Sequence, residues 1–279
     1  MALVPFPGAA KPAPDDDDDR HIHLTDPDVL EDAGAKMSFL DHLDELRKRL
    51  IACVWGLVIG CAIAFLFVGR IQSFIWMPLY NDLQNTSGVK FMYTSGFEPF
   101  MLTMKIGALA GLMLSVPFIL YQLWLFIAPG LYSHEKRMAA PFVIFCTTFF
   151  ALGAAFSHFV AFPWTWKFFL GWQTEYMEFR PSIGEAFGLY VKMLLGFGLI
   201  FQMPTIVYFL ARLGLVSAGF LLRHTKYAVL IIFIIGAALS PGTDPVGQIV
   251  MAGPMCVLYV ISIGFAWMFG KKRQPAEES

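Results

Sequence analysis

The chain has 279 residues, of which 57% are hydrophobic and only 15% charged, with 28 Phe. Soluble domains carry about 25% charged residues, so the composition excludes an ordinary water-soluble domain, and with it collagen-like, disulfide-scaffold and disordered classes. Lys and Arg number 20 against 21 Asp and Glu, a formal net charge of −1 that gives no basic footprint for nucleic acid.

Residues 1–36 are Pro-rich and small-residue-rich and end in an acidic stretch that includes Asp15 to Asp19. Such a segment cannot bury enough apolar surface to offset its ordering entropy, so it reads as a disordered acidic tail rather than a cation site. It lacks a basic region followed by a 7–15-residue apolar stretch, so it is not read as a cleaved secretory signal. The first membrane segment then serves as the targeting signal.

Six apolar segments follow, at about Leu50–Val68, Phe100–Ile127, Ala139–Phe162, Phe187–Leu213, Tyr227–Leu239 and Val246–Phe269. A span needs about 20 residues to cross roughly 30 Å of hydrocarbon. Segments one to four and six meet that length; segment five is short. Pro241-Gly-Thr-Asp-Pro245 joins segments five and six as a tight helical hairpin. The chain is thus expected to be all-α, a polytopic membrane protein with six transmembrane helices over 37–270 and a cytoplasmic C-terminal tail at 271–279.

The basic residues set the orientation. Arg47, Lys48 and Arg49, then Lys136 and Arg137, then Arg212, Arg223 and Lys226, then Lys271, Lys272 and Arg273 all fall on one side. The other side has Arg70, Lys90, Lys167 and Arg180 diluted over two longer loops. The rich side is cytoplasmic, which places both termini inside, with Trp76, Trp164, Trp166 and Trp172 near the outer boundaries. The outer loops, 69–99 and 163–186, are apolar and aromatic enough to carry short amphipathic helices.

Three groups of residues are candidates for function. In Ser38–Leu50, Phe39, Leu43, Leu46 and Leu50 share one helical face, and Ser38 with Asp41 resembles a capping box. An amphipathic helix therefore leads into segment one, with Glu45 one turn before Arg49. That acid reads either as half of an i,i+4 pair worth about 0.3–0.5 kcal/mol or as a ligand group. In Phe126–Arg137, Pro129-Gly130 breaks the helix, Ser133 is an N-cap candidate, and Glu135 lies in the following first turn. Glu135 reads as a cap or as an acid presented to a cation. Within lipid depth lie Gln122, Gln202 (followed by Pro204), Lys105 seven residues after Glu98, and His158. The buried amides need partners, as interhelical glue or as the lining of a path. Cys53, Cys61, Cys146 and Cys256 sit in apolar runs without metal-ligand spacing and read as small packing residues. No nucleophile–base constellation, phosphate loop or zinc motif stands out, so neither a catalytic residue, a metal nor a cofactor is expected.

Three blocks carry a resemblance: His42–Leu50, Ser115–Arg137, and Leu239–Gln248 with Pro254. In order and spacing they resemble the TatC family, the multi-spanning receptor subunit of the twin-arginine protein translocase, over about residues 37–270. The resemblance implies a non-enzymatic receptor and core scaffold in the bacterial inner membrane. Such a protein binds twin-arginine signal peptides at the cytoplasmic face and enables protonmotive-force-driven export of folded proteins. It implies single-span partners of the TatA and TatB type in a multimeric complex. Glu45 and Glu135 match the family's arginine-binding carboxylates, with Arg47, Phe126 and Leu131 flanking the patch. Pro78 and Asp244 match family-typical positions at the outer face, where the resemblance leaves a structural role and a transport role equally open. Gln202 stands where the family often has Glu, so no argument from a buried charge applies there; Gln202 and Gln122 remain intramembrane polar or partner-contact candidates. The rival reading is a secondary small-solute transporter, but no convincing repeat relates the two halves.

Overall fold

The computed structural model describes residues 39–86, 91–93, 95–127, 139–176, 180–240 and 245–270. The chain divides into two compact units, Met1–Arg47 and Lys48–Ser279. The acidic tail at 1–36, the C-terminal tail at 271–279, Leu131, Glu135 and Asp244 lie outside the described residues.

In the first unit, residues 39–47 are helical and open α1 (Phe39–Leu66). The second unit continues with α2 (Val68–Thr86), α3 (Glu98–Ile127) and α4 (Ala139–Phe156). A π-helical turn at Ser157–Ala161 links α4 to α5 (Phe162–Leu170). Then come α6 (Ile183–Ile200), α7 (Met203–Arg212), α8 (Ala218–Arg223), α9 (Thr225–Leu239) and α10 (Pro245–Phe269). Among the described residues, five stretches are long and apolar enough to cross a membrane: His42–Leu66, Glu98–Phe126, Pro141–Leu170, Ile183–Arg212 and Gly247–Phe269. Thr225–Leu239 is apolar but shorter. It corresponds to segment five, which the sequence also marks as the short one.

Two segments differ internally from the continuous helices expected. Segment three gains an inserted residue at the π turn and then runs on to Leu170, beyond the expected end at Phe162. Segment four begins at Ile183, earlier than Phe187, and breaks after Ile200. Pro204 is the physical cause of the break. It lacks an N–H, and its ring clashes with the carbonyl four residues back, so the helix closes and restarts at Met203.

α1 and α3 pack through small residues, because bulk would hold their backbones apart. Gly56, Gly60 and Ala64 repeat every four residues on α1; Gly107, Gly111 and Ser115 do so on α3. A Cβ at Gly60 would fall on Ser115 Oγ and 2.7 Å from the Gly111 carbonyl oxygen. One at Gly111 would lie 2.5 Å from Cys61 Cα. The close approach lets the Ser115 hydroxyl donate to the carbonyl oxygens of Gly56 (3.0 Å) and Gly111 (2.7 Å). This is the small-xxx-small packing that membrane helices use in place of a hydrophobic driving force.

The main core joins α2, α3, α5 and α6 through Leu79, Ile106, Phe162, Met193 and Phe197, all fully buried or nearly so. A second group forms where α10 packs on α7 and α9. Ile232, Ala252, Met255 and Tyr259 fill it, and the Tyr259 hydroxyl donates to the Leu221 carbonyl at 2.7 Å. Gln248 donates from Nε2 to the Phe233 carbonyl at 2.9 Å, pinning α9 against α10. A short β-bridge between Met92 and Ser182 ties the stretch before α3 to the start of α6.

Candidate functional site

Of the residues for which the resemblance implies signal binding, Glu45 and Arg47 stand on the first turns of α1, within the first unit. Phe126 lies in the last turn of α3, half-buried. Leu131 and Glu135 are outside the described residues.

The end of α3 is held rigidly. Trp124 is fully buried, with ring centroids 4.4 Å from Phe142 of α4 and 5.1 Å from Phe209 of α7. Two turns of α3 thus present Gln122 and Phe126 from an aromatic anchor. Gln122 is 8% exposed, and its Oε1 accepts from Arg49 Nη1 at 3.3 Å. The pairing follows from the α1–α3 register. Arg49 lies eleven residues before Gly60, and Gln122 lies eleven residues after Gly111. The antiparallel contact that brings the two glycines together therefore brings Arg49 opposite Gln122. Hydropathy alone did not reveal it, but the matched spacing of two glycine pairs and two polar residues is a signal that could have.

Gln202 lies in the break between α6 and α7 and is 6% exposed. Its Nε2 donates to the Cys146 carbonyl of α4 at 2.9 Å. Nε2 thus links the break to α4, while the buried Oε1 has no hydrogen-bond partner among the described residues. Replacing Gln202 by Leu should cost about 1 kcal/mol, the worth of one buried hydrogen bond, and thermal unfolding in detergent would read it. A loss above 3 kcal/mol would show that the amide does more than hold α4.

Glu98 opens α3. Its Oε1 accepts from the Ser182 hydroxyl at 3.0 Å and from the Gly184 backbone N–H at 3.1 Å. It therefore caps the N-terminus of α6 from another helix, where the dipole favours a carboxylate. Lys105 is exposed. Pro78 sits inside α2, half-buried beside fully buried Leu79, and leaves the Phe74 carbonyl without its helical donor. Asp244 lies outside the described residues.

The sequence marks His158 only as a polar residue near the end of segment three. The π turn places it 97% out of solvent, with Nδ1 3.2 Å from the Tyr190 hydroxyl and its ring stacked on Phe74 at 4.5 Å. A π insertion leaves no mark in a hydropathy profile. Among the described residues no cluster of three His, Cys, Asp or Glu is placed to hold a metal ion.

A family model described as "Sec-independent protein translocase protein (TatC)" matches residues 41–254. The chain belongs to the TatC family. It is 41% identical over 243 residues to the Sec-independent protein translocase protein TatC of Desulforapulum autotrophicum, covering 87% of this chain and 89% of that one. It is 37% identical to the protein of the same description from Koribacter versatilis, covering 90% and 94%. A crystal structure of the twin arginine translocase receptor TatC superposes with a TM-score of 0.70 at 36% identity, covering 81% of this chain and 97% of that one. This TatC-family chain is accordingly a multi-pass membrane component of a protein translocase, and nothing in these matches favours the solute transporter.

Proposed function

We propose that the chain is the non-enzymatic receptor and core scaffold of twin-arginine protein export in a bacterial inner membrane. The family match over 41–254, which includes the block around Glu45 and the block around Glu135, carries this reading. In it, six helices span the bilayer with both termini cytoplasmic, and short helices of the outer loops cover the outer face. Signal-peptide arginines dock on Glu45 and Glu135, and Arg47, Phe126 and Leu131 shape the patch. TatA- and TatB-type single-span subunits assemble along α9 and near Gln202, and the protonmotive force drives transport of folded cargo. Pro78 and Asp244 hold the outer face. Arg suits the two acids because its planar fork of donors pairs bidentately with a carboxylate, which Lys cannot do. Binding of a twin-arginine peptide against a twin-lysine peptide tests the reading; equal affinity for both would overturn it.

The 15-residue length of α9 adds a second expectation. At 1.5 Å per residue it spans roughly 22 Å, short of a hydrocarbon core of roughly 30 Å, so the bilayer thins locally around it. Inserting one apolar turn into α9 should then reduce export while leaving signal-peptide affinity unchanged. Undiminished export in a cargo-transport assay would remove bilayer thinning from the mechanism.

A further inference from the structure

Lys192 lies inside a membrane-length stretch, Ile183–Arg212, nine residues after its start. At 1.5 Å per residue that is roughly 14 Å along the helix. An ammonium at such depth is costly in hydrocarbon, and lysines there face a polar cavity or reach back toward the head groups. Lys192 lines a groove of about 590 Å³ together with Glu185 and Arg180, and Trp166, Phe169 and Leu189 form its apolar side. Glu185 and Lys192 are both exposed, so their charged groups are open to an occupant.

The sequence spacing orders these groups. Glu185, Gly188, Leu189 and Lys192 fall at i, i+3, i+4 and i+7, one face of α6. Glu185 is nearer the Ile183 end, and Lys192 is two turns deeper, roughly 10 Å along the axis. Among the described residues, no ion pair joins them. Between them Gly188 contributes only backbone, and nothing lies within 4 Å of where its Cβ would be. The face is therefore a slot with a carboxylate at its mouth, an ammonium at its depth and bare backbone between. The short helix α9 ends near the same level. Its cap residue Ser240 lines the groove, and a Cβ on Gly196, four residues past Lys192, would lie 2.6 Å from Leu239 Cδ2.

We propose that this slot binds the head group of a zwitterionic aminophospholipid, its phosphate on Lys192 and its ammonium on Glu185. The order of the charges carries the choice. A phospholipid enters a leaflet with its phosphate deeper than its amine, and the slot places its cation deeper than its acid. Both pairings are charge-assisted hydrogen bonds. A lipid without an amine leaves Glu185 unanswered, and a soluble phosphate leaves the Phe169 and Leu189 side without an apolar partner. A head group held two turns into α6 lowers the leaflet surface beside α9, which gives the thinning proposed there a fixed anchor. The site is independent of the twin-arginine reading, because Glu185 and Lys192 have no part in the signal patch.

Native mass spectrometry of the full chain, released from detergent after titration with lipid, reads the binding. Phosphatidylethanolamine should bind about tenfold more tightly than phosphatidylglycerol with the same acyl chains. Lys192→Gln should weaken both lipids about tenfold, the loss of one charge-assisted bond; Lys192→Met is the second variant should the first misfold. Glu185→Gln should weaken phosphatidylethanolamine alone and bring the two lipids level, a result that a merely structural glutamate would not give. Gly188→Leu, which fills the slot, should reduce phosphatidylethanolamine binding at least tenfold. Lys105→Gln, on α3 and outside this groove, should leave it unchanged. Equal affinity for the two lipids, unmoved by these substitutions, would mean annular lipid only and would overturn the site. Displacement of the lipid by an equal concentration of O-phosphoethanolamine would overturn the lipid assignment and give the slot to a soluble zwitterion.

Discussion

A twin-arginine signal peptide should bind the purified chain about 10- to 150-fold more tightly than its twin-lysine counterpart, and Glu45→Gln or Glu135→Gln should each abolish most of that difference. The magnitude is that of one charge-assisted, bidentate pair, about 1.5–3 kcal/mol. The preference for Arg follows from geometry rather than charge. Both peptides carry the same charge, but only the guanidinium presents a planar fork matched to a carboxylate. Replacing Glu by Gln preserves size and one acceptor while removing the charge, so it tests pairing without opening a cavity. If both acids bind one dipeptide, their losses will not add, and the double variant should lose less than the two single losses combined. Isothermal titration in detergent measures all four combinations. Equal binding by every variant would reduce Glu45 to a helix-surface charge and Glu135 to a helix cap, and would leave the family's arginine-binding role without support in this chain.

The sequence made the positions of the apolar helices and the shortness of segment five legible, because hydrophobic run length reports directly on what can cross a bilayer. It placed the end of α3 at Ile127 and α9 within Thr225–Leu239 almost to the residue. What it could not carry was pairing. Arg49 to Gln122, Glu98 to Gly184 and His158 to Tyr190 are contacts between helices, and each depends on a register that no single segment contains. The break at Gln202 was half legible: Pro204 announced it, but the partner carbonyl of Cys146 required the packed structure. The π turn at Ser157–Ala161 left no compositional trace at all. At the candidate signal site, resemblance supplied the roles of Glu45 and Glu135, while the residues alone left each with a structural explanation.

Gly111→Leu should be among the most damaging single substitutions in the chain, costing about 3 kcal/mol or more. At Gly111 even the first added carbon meets backbone, 2.5 Å from Cys61 Cα and 2.7 Å from its nitrogen, where no side-chain rotation gives relief. Overpacking a well-packed site typically costs 1–3 kcal/mol, and displacement of a whole helix lies at or above the top of that range. Moving α1 away would also lengthen the Ser115–Gly56 hydrogen bond and the Arg49–Gln122 contact, so the loss propagates along the interface. Gly107 offers a graded comparison on the same face. A Cβ there would press on the ring of Phe65, a side chain that can turn aside, so Gly107→Ala should cost less than Gly111→Ala. Gly264 in α10 is the control: nothing lies within 4 Å of its added Cβ. Gly264→Ala should be neutral or stabilising by up to about 1 kcal/mol through helix propensity. Thermal unfolding in one detergent ranks the three alanine variants and Gly111→Leu. An equal shift for Gly111→Ala and Gly264→Ala would show that α1 and α3 are not in close backbone contact, and the register that pairs Arg49 with Gln122 would fall with it.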